Sequence, residues 1–277
     1  MKIILFFLTR TKINDIIGFT EGMMLMKILN RNVVMKALVG SNNYNLQTEE
    51  RVIDGRIILA SDKDYKAFIT PTFEELYRKT MFAKSEIGTT EDIEIHDVRK
   101  LPDLFWKASL NYLEPLYSKE LWMDGSIEMQ EIYNLRQEIF NMNLPTMIKA
   151  LYGTYRQKMK LLPKGTESTQ VLVDLFGYDT KQGQHAYRHL DFAIKYAELD
   201  FKNPEQAFRY SGGDLDFMTE MKFGSFRQEV LENMLQFIEE SRFKHIESKY
   251  MEAKPNEELK EHVDNLIMSI VRKNLVA

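Results

Sequence analysis

Val33-Val34-Met35-Lys36-Ala37-Leu38-Val39-Gly40-Ser41 is an almost unbroken apolar run that stops at a glycine and a serine. Continuous apolarity of this kind fits a buried strand, and the Gly-Ser stop fits a tight turn at its end. Functional residues are often carried at such junctions, where a loop is positioned by a rigid scaffold.

Further along, Ser61-Asp62-Lys63-Asp64 opens a second strand that continues through Tyr65 to Ile69. Alternate strand residues share a face, so Asp62 and Asp64 bring two carboxylates together. Unpaired, they repel. A divalent cation relieves that repulsion, and magnesium favours oxygen ligands, commonly one or two carboxylates plus substrate phosphates. Gly40 and Ser41 would add a close-approaching backbone and a hydroxyl for the terminal phosphates. A third strand is predicted where Ile93 and Ile95 alternate with Asp92, Glu94 and His96. Glu94 and Asp92 share one face, with Glu94 favoured as a third acid and Asp92 the alternative. Asp97 points the other way and suits a cap for the following helix, in whose first turn Pro102 fits. His96 reads as an ordinary hydrogen-bonded residue rather than a ligand.

Residues 42–61 separate the turn from Asp62, and within them Asp54-Gly55 between β-branched residues signals a hairpin. Upstream, Asn14 to Leu29 carry Ile16, Ile17, Met23, Met24 and Ile28 at near-helical spacing, interrupted by Gly18 and Gly22, and predict a helix. The Met23-Met24-Leu25-Met26 cluster suggests a later translation start. Beyond about Lys119 the pattern turns helical. Val230, Met234 and Ile238 predict one buried stripe, and Leu259, Val263, Leu266, Ile267 and Ile270, after an Asn256 cap, predict another. The expected fold is α+β: a mixed-sheet core over residues 1–118, then an all-helical lobe over residues 119–277 that closes the cleft.

Composition narrows the options. With 277 residues, 44% of them hydrophobic, the chain can bury a substantial core. Lys+Arg 37 against Asp+Glu 41 gives a net charge of −4, so no global positive field attracts nucleic acid and any such contact must be local. The lack of cysteine excludes disulfides, thiolate metal sites and cysteine nucleophiles. The run Ile3 to Leu8 is too short to span a bilayer and no small-residue cleavage site follows it, which reads as a cytoplasmic protein without a membrane partner.

The combination resembles the DNA polymerase beta nucleotidyltransferase superfamily, and more narrowly its bacterial and phage group related to RNA-repair-pathway polymerase beta-like proteins. The stretches that carry the likeness are Gly40-Ser41-Asn42-Asn43-Tyr44-Asn45-Leu46-Gln47-Thr48, Ser61-Asp62-Lys63-Asp64-Tyr65-Lys66, Glu94-Ile95-His96-Asp97-Val98-Arg99-Lys100 and Asn111-Tyr112-Leu113-Glu114. A later block, Gly177-Tyr178-Asp179-Thr180-Lys181 with His185, Tyr187 and Arg188, is similar to the group's helical-domain motif.

The resemblance implies a transferase that moves a nucleoside monophosphate from a nucleoside triphosphate to an acceptor hydroxyl on an RNA or DNA end, a protein or a small molecule. Two Mg2+ ions, or Mn2+ in their place, would be held by Asp62, Asp64 and Glu94 (alternatively Asp92), with pyrophosphate leaving after in-line displacement. Gly40, Ser41, Tyr44, Lys181, His185 and Arg188 would bind the nucleotide. On a helix the last three sit at i, i+4 and i+7, which by spacing alone fits a solvated basic face and, with the resemblance, one face of potential phosphate donors. Tyr44 and Tyr65 could stack on a base or simply pack, and Asp179 suits a cap. The basic stretch Tyr155 to Lys164 could touch a nucleic acid or end a solvated helix. Glu114 is expected to support the fold between the lobes. The long loop before Asp62 departs from the group's usual short one, and motivates a second reading: a silent, antitoxin-like module acting through a protein partner.

Overall fold

The computed structural model describes residues 17–20, 25–88 and 91–276. Its strands are β1 (Ile17–Thr20), β2 (Leu25–Ile28), β3 (Arg31–Val39), β4 (Arg51–Ile53), β5 (Arg56–Ile58), β6 (Lys63–Ile69), β7 (Ala83–Ile87), β8 (Glu91–Asp97) and β9 (Leu121–Met123). The main sheet runs β1-β2-β3-β6-β8-β7, with β9 also on β3, while β4 and β5 form a separate hairpin. The β3 and β6 strands are antiparallel and pair Val39 with Asp64. The β6 and β8 strands are parallel and pair Asp64 with Asp92 and Lys66 with Glu94.

Alternation along β6 and β8 divides the sheet into two chemically distinct faces. Tyr65, Ala67, Ile69, Ile93 and Ile95 join Ile28, Val33 and Leu38 in one apolar cluster. Asp64, Lys66, Asp92, Glu94 and His96 share the other face with Phe68, which enters the larger core formed with the helices. A register shift in β3 between Val33 and Met35 lets Val34 and Met35 both contribute to that larger core.

The helix predicted over residues 14–29 is replaced, in the part described, by β1 and β2. Gly18 and Gly22 weaken a helix there, and Leu29 and Asn30, at φ of +53° and +60°, form the two-residue turn that pairs Ile28 with Arg31. Hydrogen bonding to β3 thus outweighs the local apolar spacing. The run Ile3 to Leu8 and the alternative start near Met23 fall outside the described residues. The predicted Asp54-Gly55 hairpin is present, with φ of +49° and +74° at its two turn residues.

The helices are α1 (Gly40–Asn43), α2 (Phe73–Tyr77), α3 (Leu101–Trp106), α4 (Leu110–Leu113), α5 (Ile127–Asn134), α6 (Arg136–Phe140), α7 (Leu144–Leu161), α8 (Gln170–Phe176), α9 (Thr180–Glu198), α10 (Pro204–Phe208), α11 (Gly212–Lys222), α12 (Gln228–Ile238), α13 (Lys244–Met251) and α14 (Glu257–Val276). The β9 strand follows residue 118 and returns to the sheet before the helical region opens at Ile127.

Helix α9 runs through this region, buried along most of its length by Ala186, Leu190, Phe192, Ala193 and Tyr196. It begins at Asp179, which accepts from Gln182 N at 3.1 Å and from Thr169 Oγ1 at 2.5 Å, a cap worth about 1 kcal/mol. Asn256 accepts from Leu259 N at 2.9 Å in front of α14, and Leu259, Val263, Ile267 and Ile270 are buried as expected. On α12 Met234 and Ile238 pack against the core as expected, but Val230 is 51% exposed and the fully buried positions are Leu231 and Leu235. The buried stripe is thus wider and centred one residue on, because Leu231 packs against Gly183 of α9. Among the described residues no helix is long and apolar enough to cross a membrane.

Candidate active site

The turn after β3 lies directly beside Asp64. Gly40 has φ of +70°, and a Cβ built on it would stand 2.6 Å from Asp64 Oδ2, so both backbone conformation and space call for glycine. The turn is pinned from several sides. Tyr44 N donates to Gly40 O at 3.2 Å and Leu46 N to Ser41 O at 2.8 Å. Asn42 Nδ2 donates to Asp62 O at 2.6 Å, tying the turn to the start of β6. The buried Asn43 donates to Glu114 Oε2 at 3.3 Å and accepts from Lys119 N at 3.2 Å.

Asp64 and Asp92 stand side by side on paired strands and line a cavity of about 510 Å³ between the sheet and the helical region. Burial and then the charge of Asp92 push the Asp64 carboxyl above the usual carboxylate range, with Asp62 adding to the effect and Lys181 and Lys66 opposing it. Asp62 is exposed and does not line the cavity. Glu94 lines the cavity but is ion-paired with Lys66, and His96 Nε2 lies 3.5 Å from its Oε2. His96 and Lys66 hold the Glu94 carboxyl down at about 2. The acid beside Asp64 is therefore Asp92, the alternative in the sequence reading, while Glu94 already has its countercharge. Among the described residues no three histidine or acidic side chains converge into a ready metal cage.

The opposite wall is basic. Lys181, His185 and Arg188 of α9 line the cavity, as does Lys158 of α7. Arg188 is only 7% exposed, its guanidinium lies 4.2 Å over the Tyr44 ring, and its Nε has no hydrogen-bond partner. Among the described residues Lys158, Lys181 and Arg188 make no ion pair. Burial and then Arg188 depress the Lys158 ammonium. Burial, with Arg188, Lys158 and Lys181 adding, pushes His185 well below its usual value, so its ring is neutral at pH 7. His189 Nδ1 lies 2.7 Å from His185 O, and burial and Arg188 bring its ring down to about 3.

Lys158 was missed as a cavity residue because it sits inside the basic stretch read as a nucleic-acid contact. The available signal was its spacing: Thr154 and Lys158, one turn apart on α7, both face the cavity. From the same stretch, Tyr155 is buried with its hydroxyl on Glu239 Oε2 at 2.8 Å, and Arg156 and Lys160 line a separate cleft. Tyr44 is fully buried, edge-on to Phe208 at 5.5 Å, so it packs under Arg188 rather than offering a plate for a base. Tyr65 belongs to the other apolar cluster and donates to Glu120 Oε2 at 2.6 Å. Asp97 accepts from Arg99 N at 2.9 Å, the expected cap.

Glu114, buried between the Gly40–Asn43 turn and the helices, has its carboxyl pushed up to about 7 by burial, against the pull of Tyr44, Arg188 and Asn43. The β4–β5 hairpin packs toward α8, with Arg56 3.5 Å from Asp174, and none of residues 51–59 lines the cavity.

The chain matches no protein-family model, and no curated protein is significantly similar to it.

Proposed function

We propose that this chain is a magnesium-dependent nucleotidyltransferase with a DNA polymerase beta type core, transferring a nucleoside monophosphate from a nucleoside triphosphate to an acceptor hydroxyl. One arrangement supports this above the others. Asp64 and Asp92, and the cations Lys158, Lys181 and Arg188, open into the same cavity without an ion pair between the two sets. A ligand that satisfies both walls carries both signs: phosphate oxygens for the cations and a divalent cation for the acids. A neutral ligand would leave the buried Arg188 guanidinium uncompensated, which is costly.

The residues fit magnesium in chemistry and in space. Carboxylate oxygens are its preferred donors, and Gly40 leaves clear the position 2.6 Å from Asp64 Oδ2 that a Cβ would fill. Asp64 and Asp92 would hold it; Asp62, which the sequence pairs with Asp64, is exposed outside the cavity lining and acts on Asp64 only through its charge. When bound, magnesium neutralises the acid cluster, lowers the pKa of the acceptor hydroxyl and stabilises the departing pyrophosphate.

The chain's own groups then divide the work. Arg188 and Lys181 grip phosphate oxygens, with Lys158 behind them. Ser41, at the turn, lines the same cavity. The Tyr44 ring supports the Arg188 guanidinium from beneath, and neutral His185 offers a hydrogen bond without further charge. The silent-module alternative drew its motive from the long loop before Asp62, and the β4–β5 hairpin that takes up its extra length contributes no residue to the cavity lining.

The test is direct. Incubated with labelled nucleoside triphosphates, Mg2+ or Mn2+, and nucleic-acid, protein and small-molecule acceptors, the protein should release pyrophosphate, and Asp64→Asn should not. The absence of both pyrophosphate release and metal-dependent nucleotide binding overturns the proposal.

A further inference from the structure

Lys222, the last residue of α11, is not among the residues lining the cavity, yet it reaches the strand that carries the acids. Its Nζ donates to Thr48 Oγ1 at 2.6 Å and to Ser61 Oγ at 3.2 Å. Those hydroxyls belong to the two ends of the loop that holds the β4–β5 hairpin. Ser61 N donates to Thr48 O at 2.8 Å and Thr48 N to Ser61 Oγ at 3.0 Å, closing the loop and fixing Ser61 immediately before Asp62. The extra length before Asp62 thus returns beside the metal-facing end of β6.

A lysine that only staples a loop is best served by a carboxylate. Lys222 instead uses two of its three donors on neutral hydroxyls, and among the described residues it makes no ion pair. Its charged neighbours are mostly cations: Lys181 from the cavity wall and Arg51 from β4, with Asp62 the opposing charge. Burial, then Lys181 and Arg51, bring the Lys222 ammonium down to about 8. Arg51 lies 3.9 Å over the Phe223 ring and, among the described residues, is also without an ion pair. Positive charge therefore continues from the cavity past Lys181 to a point outside it, where two hydroxyls and a free ammonium donor are already positioned.

We infer that Lys222, Thr48, Ser61 and Arg51 form a second phosphate subsite, which takes a phosphate group of a ligand seated in the adjoining cavity. The inference rests on the reading of the cavity as a nucleotide site. That phosphate belongs either to the tail of the donor or to a phosphorylated acceptor, and the test separates the two.

Calorimetric titration of the full-length protein with Mg2+ and ATP, ADP, AMP or inorganic pyrophosphate gives the baseline, repeated for Lys222→Met, Lys222→Arg and Thr48→Val. Loss of one charge-assisted contact corresponds to a weakening of about 10- to 100-fold. For a donor tail, Lys222→Met weakens ATP by that factor and leaves AMP unchanged, and Lys222→Arg recovers most of the loss. For an acceptor phosphate, ATP is unchanged and a 5′-phosphorylated oligonucleotide loses its advantage over the 5′-hydroxyl form. Thr48→Val gives a smaller loss in the same ligand. Equal weakening of all ligands with a lowered melting temperature, or no change in any, shows Lys222 to be a loop staple and overturns the subsite alone. Failure of the wild type to bind any nucleotide or pyrophosphate overturns the cavity reading and the subsite with it.

Discussion

Replacing Gly40 with alanine tests the site at its tightest point. A β-carbon there would lie 2.6 Å from Asp64 Oδ2, so the turn and the carboxylate must separate by close to 1 Å to reach ordinary contact. Displacement of a reacting group on that scale costs about 100-fold in rate. The left-handed backbone at φ of +70° adds about 1–2 kcal/mol of destabilisation, or about 2–8 °C in Tm for a chain of this size. Gly125 supplies the control, because it has φ of +75° with nothing within 4 Å of its Cβ position. Gly40→Ala and Gly125→Ala should therefore lose similar stability by calorimetry. Only Gly40→Ala should also lose pyrophosphate release, by about 100-fold, and Mn2+ affinity, by about tenfold or more. If the two variants retain equal activity and equal Mn2+ affinity, the Gly-Ser turn does not shape the acid site, and the reasoning fails.

Arg188→Met should weaken Mg2+–triphosphate binding by about 10- to 100-fold in a titration, while the ligand-free protein keeps or gains thermal stability, since a buried unpaired cation is removed; a large drop in Tm without ligand would contradict this. Asp92→Asn should abolish metal-dependent binding, whereas Glu94→Gln should retain a substantial part of it, because Glu94 is neutralised by Lys66; the reverse order would make Glu94 the third acid. Glu114 has a folded value of about 7, above its ordinary 4.5, so the stability it contributes is fully present below about pH 4.5 and is lost as pH rises through 7. The shift corresponds to about 3 kcal/mol, and Glu114→Gln should flatten that part of the dependence in urea unfolding between pH 5 and 8. The depressed histidines His185 and His189 act in the opposite sense as pH falls below about 6.5, but they are present in both proteins and cancel in the difference.

The sequence alone determined the elements whose signals are local. The apolar run ending at Gly40, the Asp54-Gly55 hairpin, the alternation through β6 and β8, and the caps at Asp97, Asp179 and Asn256 all depend on neighbouring residues, so they could be read directly. Helical pitch also put Lys181, His185 and Arg188 on one face of α9, but spacing alone fitted a solvated basic face equally, and the turn of that face toward the cavity was what the resemblance implied. Tertiary structure decided what depends on register and on contacts between distant segments. The acid beside Asp64 followed from the parallel pairing of β6 with β8, which sets Asp92 across from it and gives Glu94 to Lys66. Lys158 joined the cavity, and the buried face of α12 turned to Leu231, through packing around α9. The described part of residues 14–29 became strands because β3 offered an edge to β2 and β2 in turn to β1, partners that apolar spacing within the segment does not encode.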